Sequence, residues 1–157
     1  MLEEDQAIHK AARAGHTDVV RVLAEAGADV NSPGNIGMTP LCQSAFSGQL
    51  TTARFLMDLG AEMNTQDDDG ATALHHATQN NHLSLVCELL DRHADKTIQT
   101  RGLTPLALAR QLNHHDIALV LDDSEISDGE KSIRVFILQT LNFDSEISPE
   151  DRGYISS

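Results

Sequence analysis

The chain has 157 residues, about one domain by length, and carries 24 acids against 11 lysines and arginines for a formal charge of −13. So negative a surface argues against nucleic-acid phosphate and anionic membrane as partners and favours a basic protein or peptide. There is no apolar run of the roughly 18 residues a membrane helix needs, and two cysteines in this length make no disulfide framework.

The opening Met1-Leu2-Glu3-Glu4-Asp5 is acidic and unlike a signal or transit peptide, and residues 2–5 read as a polar cap. An intracellular protein, cytoplasmic or nuclear, is the expectation, with Cys42 and Cys87 as buried thiols. Two helices are predicted near 6–13 and 16–25. Ala11-Ala12 is small enough for a second helix to lie close, Gly15 can take a positive φ between the two, and Val19, Val20 and Leu23 supply an apolar stripe. Gly27-Ala28-Asp29-Val30-Asn31 closes the unit.

That pattern returns three times. Gly37, Gly70 and Gly102 keep step with Thr39, Thr72 and Thr104, and each threonine opens a helix as Thr39-Pro40-Leu41, Thr72-Ala73-Leu74 or Thr104-Pro105-Leu106. A threonine hydroxyl caps an orphan backbone N–H, and proline suits the first helical position, which needs none. Gly15, Gly48, Asn81 and Asn113 fall between paired helices, and these are the residue types that best tolerate left-handed backbone. The four units are expected at about 3–33, 34–66, 67–98 and 99–122, with Phe55 packed and Phe46 at the exposed end of a first helix.

Residues 123–157 form an acidic extension. Residues 1–121 hold 15 acids and 8 bases, net −7, whereas the far shorter remainder holds 9 acids and 3 bases, net −6. Asp123-Ser124-Glu125-Ile126-Ser127 recurs letter for letter as Asp144-Ser145-Glu146-Ile147-Ser148. Between the copies, Ile133, Phe136, Ile137 and Leu141 mark one helical face, so a helix near 128–142 docked on the last unit is favoured over a strand through residues 133–138.

These residues resemble the ankyrin-repeat family: Thr39-Pro40-Leu41, Thr72-Ala73-Leu74-His75-His76-Ala77, Thr104-Pro105-Leu106-Ala107-Leu108-Ala109, Gly15-His16 and Gly27-Ala28-Asp29-Val30-Asn31, at a step of about 33 residues. The resemblance covers roughly residues 3–122 and implies an all-α solenoid of paired antiparallel helices with hairpin loops. Departures are the missing Gly-x-Thr-Pro opening of the first unit, Cys42 and Ala107 at the usual histidine, Ser44 at a packing alanine, His93 at a turn glycine, and one residue fewer between the third and fourth units.

By resemblance, partners bind a concave face built from hairpin tips and first helices. Carried over by position, that face comprises Asn35, Ile36, Met38, Phe46 and Ser47, then Asp68, Asp69, Ala71, Gln79 and Asn80, then Thr100, Arg101, Leu103, Gln111 and Leu112. Ile36, Met38, Phe46, Leu103 and Leu112 are apolar where the repeat assigns no packing, and Asp68 and Asp69 make an acidic finger suited to a basic residue. A non-enzymatic, monomeric protein-binding module is therefore expected; the alternative is a stoichiometric inhibitor or regulator of an enzyme such as a protein kinase. Leu23, Asp29, Val30 and Asn31 match the spacing at which such repeats are hydroxylated on asparagine, making Asn31 the modification candidate, with Asn64 a weaker one.

No cofactor, catalytic residue or metal is expected. There is no phosphate-binding glycine loop, His-Glu-x-x-His or Gly-x-Ser-x-Gly. His16, His82 and His114 share one register, but stacked repeats stand about 8–10 Å apart, too wide for zinc bonds of about 2.0–2.1 Å. His9 and His75 occupy the family's Thr-Pro-Leu-His position, which implies hydrogen bonds between turns. Asp67-Asp68-Asp69-Gly70 and residues 124–130 both lack the alternating oxygen ligands of a calcium loop.

Overall fold

Threonine and proline set the helix starts. In the computed structural model, which describes residues 3–122 and Thr140, Thr39 Oγ1 accepts from Cys42 N–H at 3.2 Å and Thr104 Oγ1 from Ala107 N–H at 3.2 Å, each just ahead of a proline. Such caps contribute about 1 kcal/mol each. Thr72 uses a reciprocal version: its backbone N–H donates to His75 Nδ1 at 3.2 Å, and Nε2 of the same ring donates to the Leu103 carbonyl at 3.2 Å. The His75 side chain thus closes its own helix and ties it to the following unit, as expected of that position.

The described residues form four helix pairs: α1 (Glu3–Ala14) with α2 (Thr17–Glu25), α3 (Pro40–Ser47) with α4 (Leu50–Asp58), α5 (Ala73–Gln79) with α6 (Leu83–Asp91), and α7 (Pro105–Gln111) with α8 (His115–Leu121). Helix α1 starts three residues before the predicted boundary, so the backbone of residues 3–5 is helical. Between paired helices Gly15, Gly48, Asn81 and Asn113 all take positive φ, from 60° to 77°. The extension beyond Asp122, including the helix expected near 128–142, lies outside the described residues apart from Thr140.

First helices pack more closely on one another than second helices do, so the stack curves with α1, α3, α5 and α7 inside and α2, α4, α6 and α8 outside. One apolar cluster runs the length of the stack, from Ile8 through Leu41, Leu56, Leu74, Leu85 and Leu89 to Ile117 and Leu121. Cross-repeat hydrogen bonds fix the register. Gln49 Nε2 donates to the Arg13 carbonyl, His82 Nε2 to that of Phe46 and His114 Nδ1 to that of Thr78, at 3.2, 3.2 and 2.8 Å. His16, His82 and His114 indeed share a register, as the residue that precedes each second helix.

His93 sits at φ 66° where the two preceding units place Gly27 and Gly60 at φ 103° and 93°. A side chain at Gly27 or Gly60 would meet nothing within 4 Å, so the difference is purely one of backbone strain. His93→Gly is expected to stabilise the chain by up to about 1 kcal/mol, offset in part by the freedom glycine adds to the unfolded state. Gly60→His should cost about the same, and the urea midpoints of both variants check it.

On the outer layer, Glu88 receives Arg54 Nε and Arg92 Nε at 2.8 Å each, and Arg92 also reaches Asp58 at 2.8 Å, tying α4 to α6. Burial pushes the Glu88 carboxyl up, but the two arginine hydrogen bonds outweigh it and its pKa lies below the ordinary value of 4.5. A pKa depressed by folding means stabilisation present above the unfolded value and lost as pH falls through the folded one. The stability gap between wild type and Glu88→Gln is therefore expected to hold at neutral pH and to close below about pH 4, read from urea midpoints across that range.

Candidate functional site

The inner layer and the hairpin tips above it form one continuous surface. The tips are tight turns: Ile36-Gly37 and Arg101-Gly102 both place two consecutive residues at positive φ, 54° and 73° in the first and 50° and 78° in the second. That is the type I′ pattern. The tips are stitched sideways as well. Asp68 N–H donates to the Ile36 carbonyl at 3.0 Å, the Thr100 hydroxyl donates to the Asp69 carbonyl at 2.8 Å, and the Arg101 guanidinium pairs with Asp69 at 2.7 Å. This pairing answers part of the acidic finger from within the chain and leaves Asp68 as the acid of the finger with no ion-pair partner among the described residues.

Asp67 anchors the central hairpin. It is buried; Oδ1 accepts from Asp69 and Ala71 N–H at 3.0 and 2.9 Å, and Oδ2 accepts from His76 Nε2 at 2.7 Å. His76 in turn makes a T-shaped ring contact with Phe46 at 6.0 Å, and Arg13 lies over the Phe46 ring, its guanidinium carbon 5.5 Å from the ring centre. Arg13, Phe46 and His76 belong to α1, α3 and α5, so this row crosses three repeats on the inner face.

The expected face residues divide. Asn35, Ile36, Phe46, Asp68, Asp69, Gln79, Arg101, Gln111 and Leu112 are exposed; Ser47, Asn80, Thr100 and Leu103 are half-buried. Ile36 is 62 % exposed, Phe46 36 % and Leu112 39 %. Met38 and Ala71 are corrections: both are buried, Met38 at 5 %, and Met38 is part of the core. The cause is local. Each immediately precedes a threonine cap, the position whose side chain turns inward to pack on the first helical turns, and Met38 Sδ lies 3.8 Å from Gln43 Nε2. That staple pattern was readable in the sequence.

Two features escaped the sequence reading. A depression of about 230 Å³ lies between the first two repeats, lined by Gln6, His9, Lys10, Arg13, Gly34, Asn35 and Gln43. The first unit lacks the hairpin opening that marks the face in the other three, although Lys10 and Arg13 stand at a spacing that puts neighbours on one helix side. The outer layer also exposes Val19, Val22, Leu59 and Leu119; Val19 and Val22 are both on α2, and the other two lie far from them along the chain.

The remaining chemistry-bearing side chains serve structure. Burial pushes the Cys42 thiol up and that of Cys87 to about 12, so neither is a thiolate at neutral pH. Burial holds His75 below the ordinary histidine value, which suits its role as a neutral two-way hydrogen-bonding ring. His9 Nε2 donates to the Ser32 carbonyl at 2.7 Å. No three His, Cys, Asp or Glu residues are grouped to hold a metal among the described residues, nor is any helix there long and apolar enough to cross a membrane. Asn31, the modification candidate, bridges to the next unit: its Oδ1 accepts from Glu62 N–H at 2.8 Å and its Nδ2 faces the Gly60 carbonyl at 3.4 Å. Asn64 repeats the first contact, accepting from Asp95 N–H at 2.9 Å.

The family model of ankyrin repeats (three copies) matches residues 2–67 and again residues 59–130. No curated protein matches the chain.

Proposed function

This chain belongs to the ankyrin-repeat family, whose repeats are in general protein–protein interaction modules, and on that premise we propose that its inner face binds one segment of a partner protein without catalysing a reaction. The observation that carries this is the Arg13–Phe46–His76 row, an aromatic ring held between two repeats' side chains yet open to solvent. Ile36 supports it. A β-branched residue at φ 54° is a backbone outlier, and here the strained residue projects an exposed apolar side chain from a hairpin tip. The outer layer has a ring contact of its own, Arg21 over Phe55 at 5.0 Å, but it joins two repeats where the inner row joins three, and singly exposed apolar residues need no explanation.

The partner segment lies along the tips and inner helices of a monomer, meeting Asp68 with a basic residue. Because the face is preformed, ordering on binding falls mostly on the partner. Were the partner an enzyme such as a protein kinase, the same contact would act as stoichiometric inhibition. Asn31 is the site proposed for hydroxylation, read as a one-oxygen mass increase on its tryptic peptide.

Affinity capture with wild type and with an Ile36→Glu, Phe46→Glu, Leu112→Glu variant, quantified by mass spectrometry, tests the face. All three side chains are exposed, so helical circular dichroism and melting should be unchanged; Met38 is left alone because a charge there would be buried. Partners held by wild type should fall at least tenfold in the variant, since three charges placed against an apolar contact each cost more than about 1 kcal/mol. Equal recovery would move binding to the outer layer or the acidic extension.

A further inference from the structure

We propose that the first two repeats carry a carboxylate-reading subsite, where Lys10 and Arg13 take an aspartate or glutamate side chain of the partner and Phe46 takes an apolar neighbour of that residue. This rests on the inner face being the binding face and names the chemistry selected at one end of it.

Charge is segregated between the two layers. Beyond the first turn of α1, the inner helices carry Lys10, Arg13 and Arg110 and no acid, whereas the outer helices carry Asp18, Glu25, Asp58, Glu88, Asp91 and Asp116 against Arg21 and Arg54. The net negative charge therefore misdescribes the groove. Beyond about 8 Å at physiological ionic strength the outer acids are screened, so a partner in contact meets the local cations.

Those cations are available. Arg54, Arg92, Arg101 and Arg110 are ion-paired within the chain, but neither Lys10 nor Arg13 has an ion-pair partner among the described residues. Arg13 is nevertheless held in place by its face-on contact with Phe46, 5.5 Å from the ring centre. A guanidinium held over an aromatic ring still has N–H groups to offer a carboxylate. The depression beside it holds about 230 Å³, with Gln6, Asn35 and Gln43 as neutral donors on its walls and no acid among its lining. Small-molecule sites run from roughly 300 to 1,000 Å³, so this one suits a single side chain and not a cofactor.

A random dodecapeptide display library panned on the full chain, and on its Lys10→Glu, Arg13→Glu and Phe46→Glu variants, tests the assignment. Wild type should enrich Asp or Glu next to an apolar residue. The charge-reversed variant should lose that enrichment and bind the best wild-type peptide at least about tenfold more weakly. Circular dichroism and melting control for folding; if reversal disturbs them, Lys10→Gln, Arg13→Gln makes the same comparison. A wild-type pool rich in Lys and Arg, or an acidic pool selected equally well by the reversed variant, overturns the subsite, and the face itself stands only if Phe46→Glu empties the pool. A pool unaffected by Phe46→Glu overturns both. A pool that reproduces Asp144-Ser145-Glu146 assigns the subsite to the chain's own tail and overturns the partner assignment.

Discussion

Replacing Asp67 by alanine is expected to lower the unfolding free energy by about 3 kcal/mol and the melting temperature by roughly 10 °C. One buried carboxylate serves three donors, the Asp69 and Ala71 N–H groups and His76 Nε2. Alanine leaves all three without that acceptor, and a buried donor stripped of its partner costs about 1–3 kcal/mol. Asp67→Asn separates the contributions, since its amide oxygen still accepts from both backbone groups while the NH₂ turns a donor towards His76. Asparagine should therefore lose less, about 1 kcal/mol. The same hairpin holds Asp68 against the Ile36 carbonyl, so Asp67→Ala should also loosen the first tip, seen as faster amide exchange at Asp68. An alanine variant as stable as wild type would show that the hairpin does not depend on this carboxylate.

Leu74→Ala carries the other large effect, about 2–5 kcal/mol. Leu74 is 1 % exposed in α5, which packs on α3 before it, α7 after it and α6 of its own pair. In a linear array each unit is stabilised chiefly by its neighbours, so a cavity in the third repeat weakens both interfaces at once. Leu106, at the matching place in the last repeat, is only half-buried, and Leu106→Ala should cost less than half as much. Equal losses at the two sites, from urea unfolding, would contradict the nearest-neighbour account.

What the sequence made legible was local chemistry repeated in register. Threonine before proline announces a capped helix wherever it stands, and Gly15, Gly48, Asn81 and Asn113 announce left-handed turns, because both signals act within a few residues. His9 and His75 were also readable, since the resemblance assigns that ring a fixed bonding role. Contacts made across repeats were not. Arg101 meets Asp69, and Arg13 meets Phe46, at sequence separations that only stacking brings together. Ile36 was expected to be exposed and is, but nothing in its β-branched side chain announces φ 54°; that angle follows from the tight hairpin and its neighbour Gly37. Met38 and Ala71 were misplaced because apolar character was read without the direction that a cap imposes on the residue before it.

Charge is where sequence and structure differ most. Net charge pointed to a basic partner, and Asp68 still offers one contact of that kind. The layers, however, divide charge unevenly, with six acids against Arg21 and Arg54 on the outer helices and no acid on the inner ones past the first turn of α1, which a sum over the chain conceals. A helix pair with acids on the outer helix and Lys10 and Arg13 on the inner one is acidic at a distance and cationic in its groove, so the two ends of a bound segment meet opposite demands.

The most direct test of the central claim is amide hydrogen exchange on the full chain with and without a captured partner. Protection confined to the tips at residues 35–37, 68–70 and 100–102 and to the exposed sides of α1, α3, α5 and α7 is the predicted result. Protection on α2, α4, α6 and α8, with the tips unchanged, would contradict it.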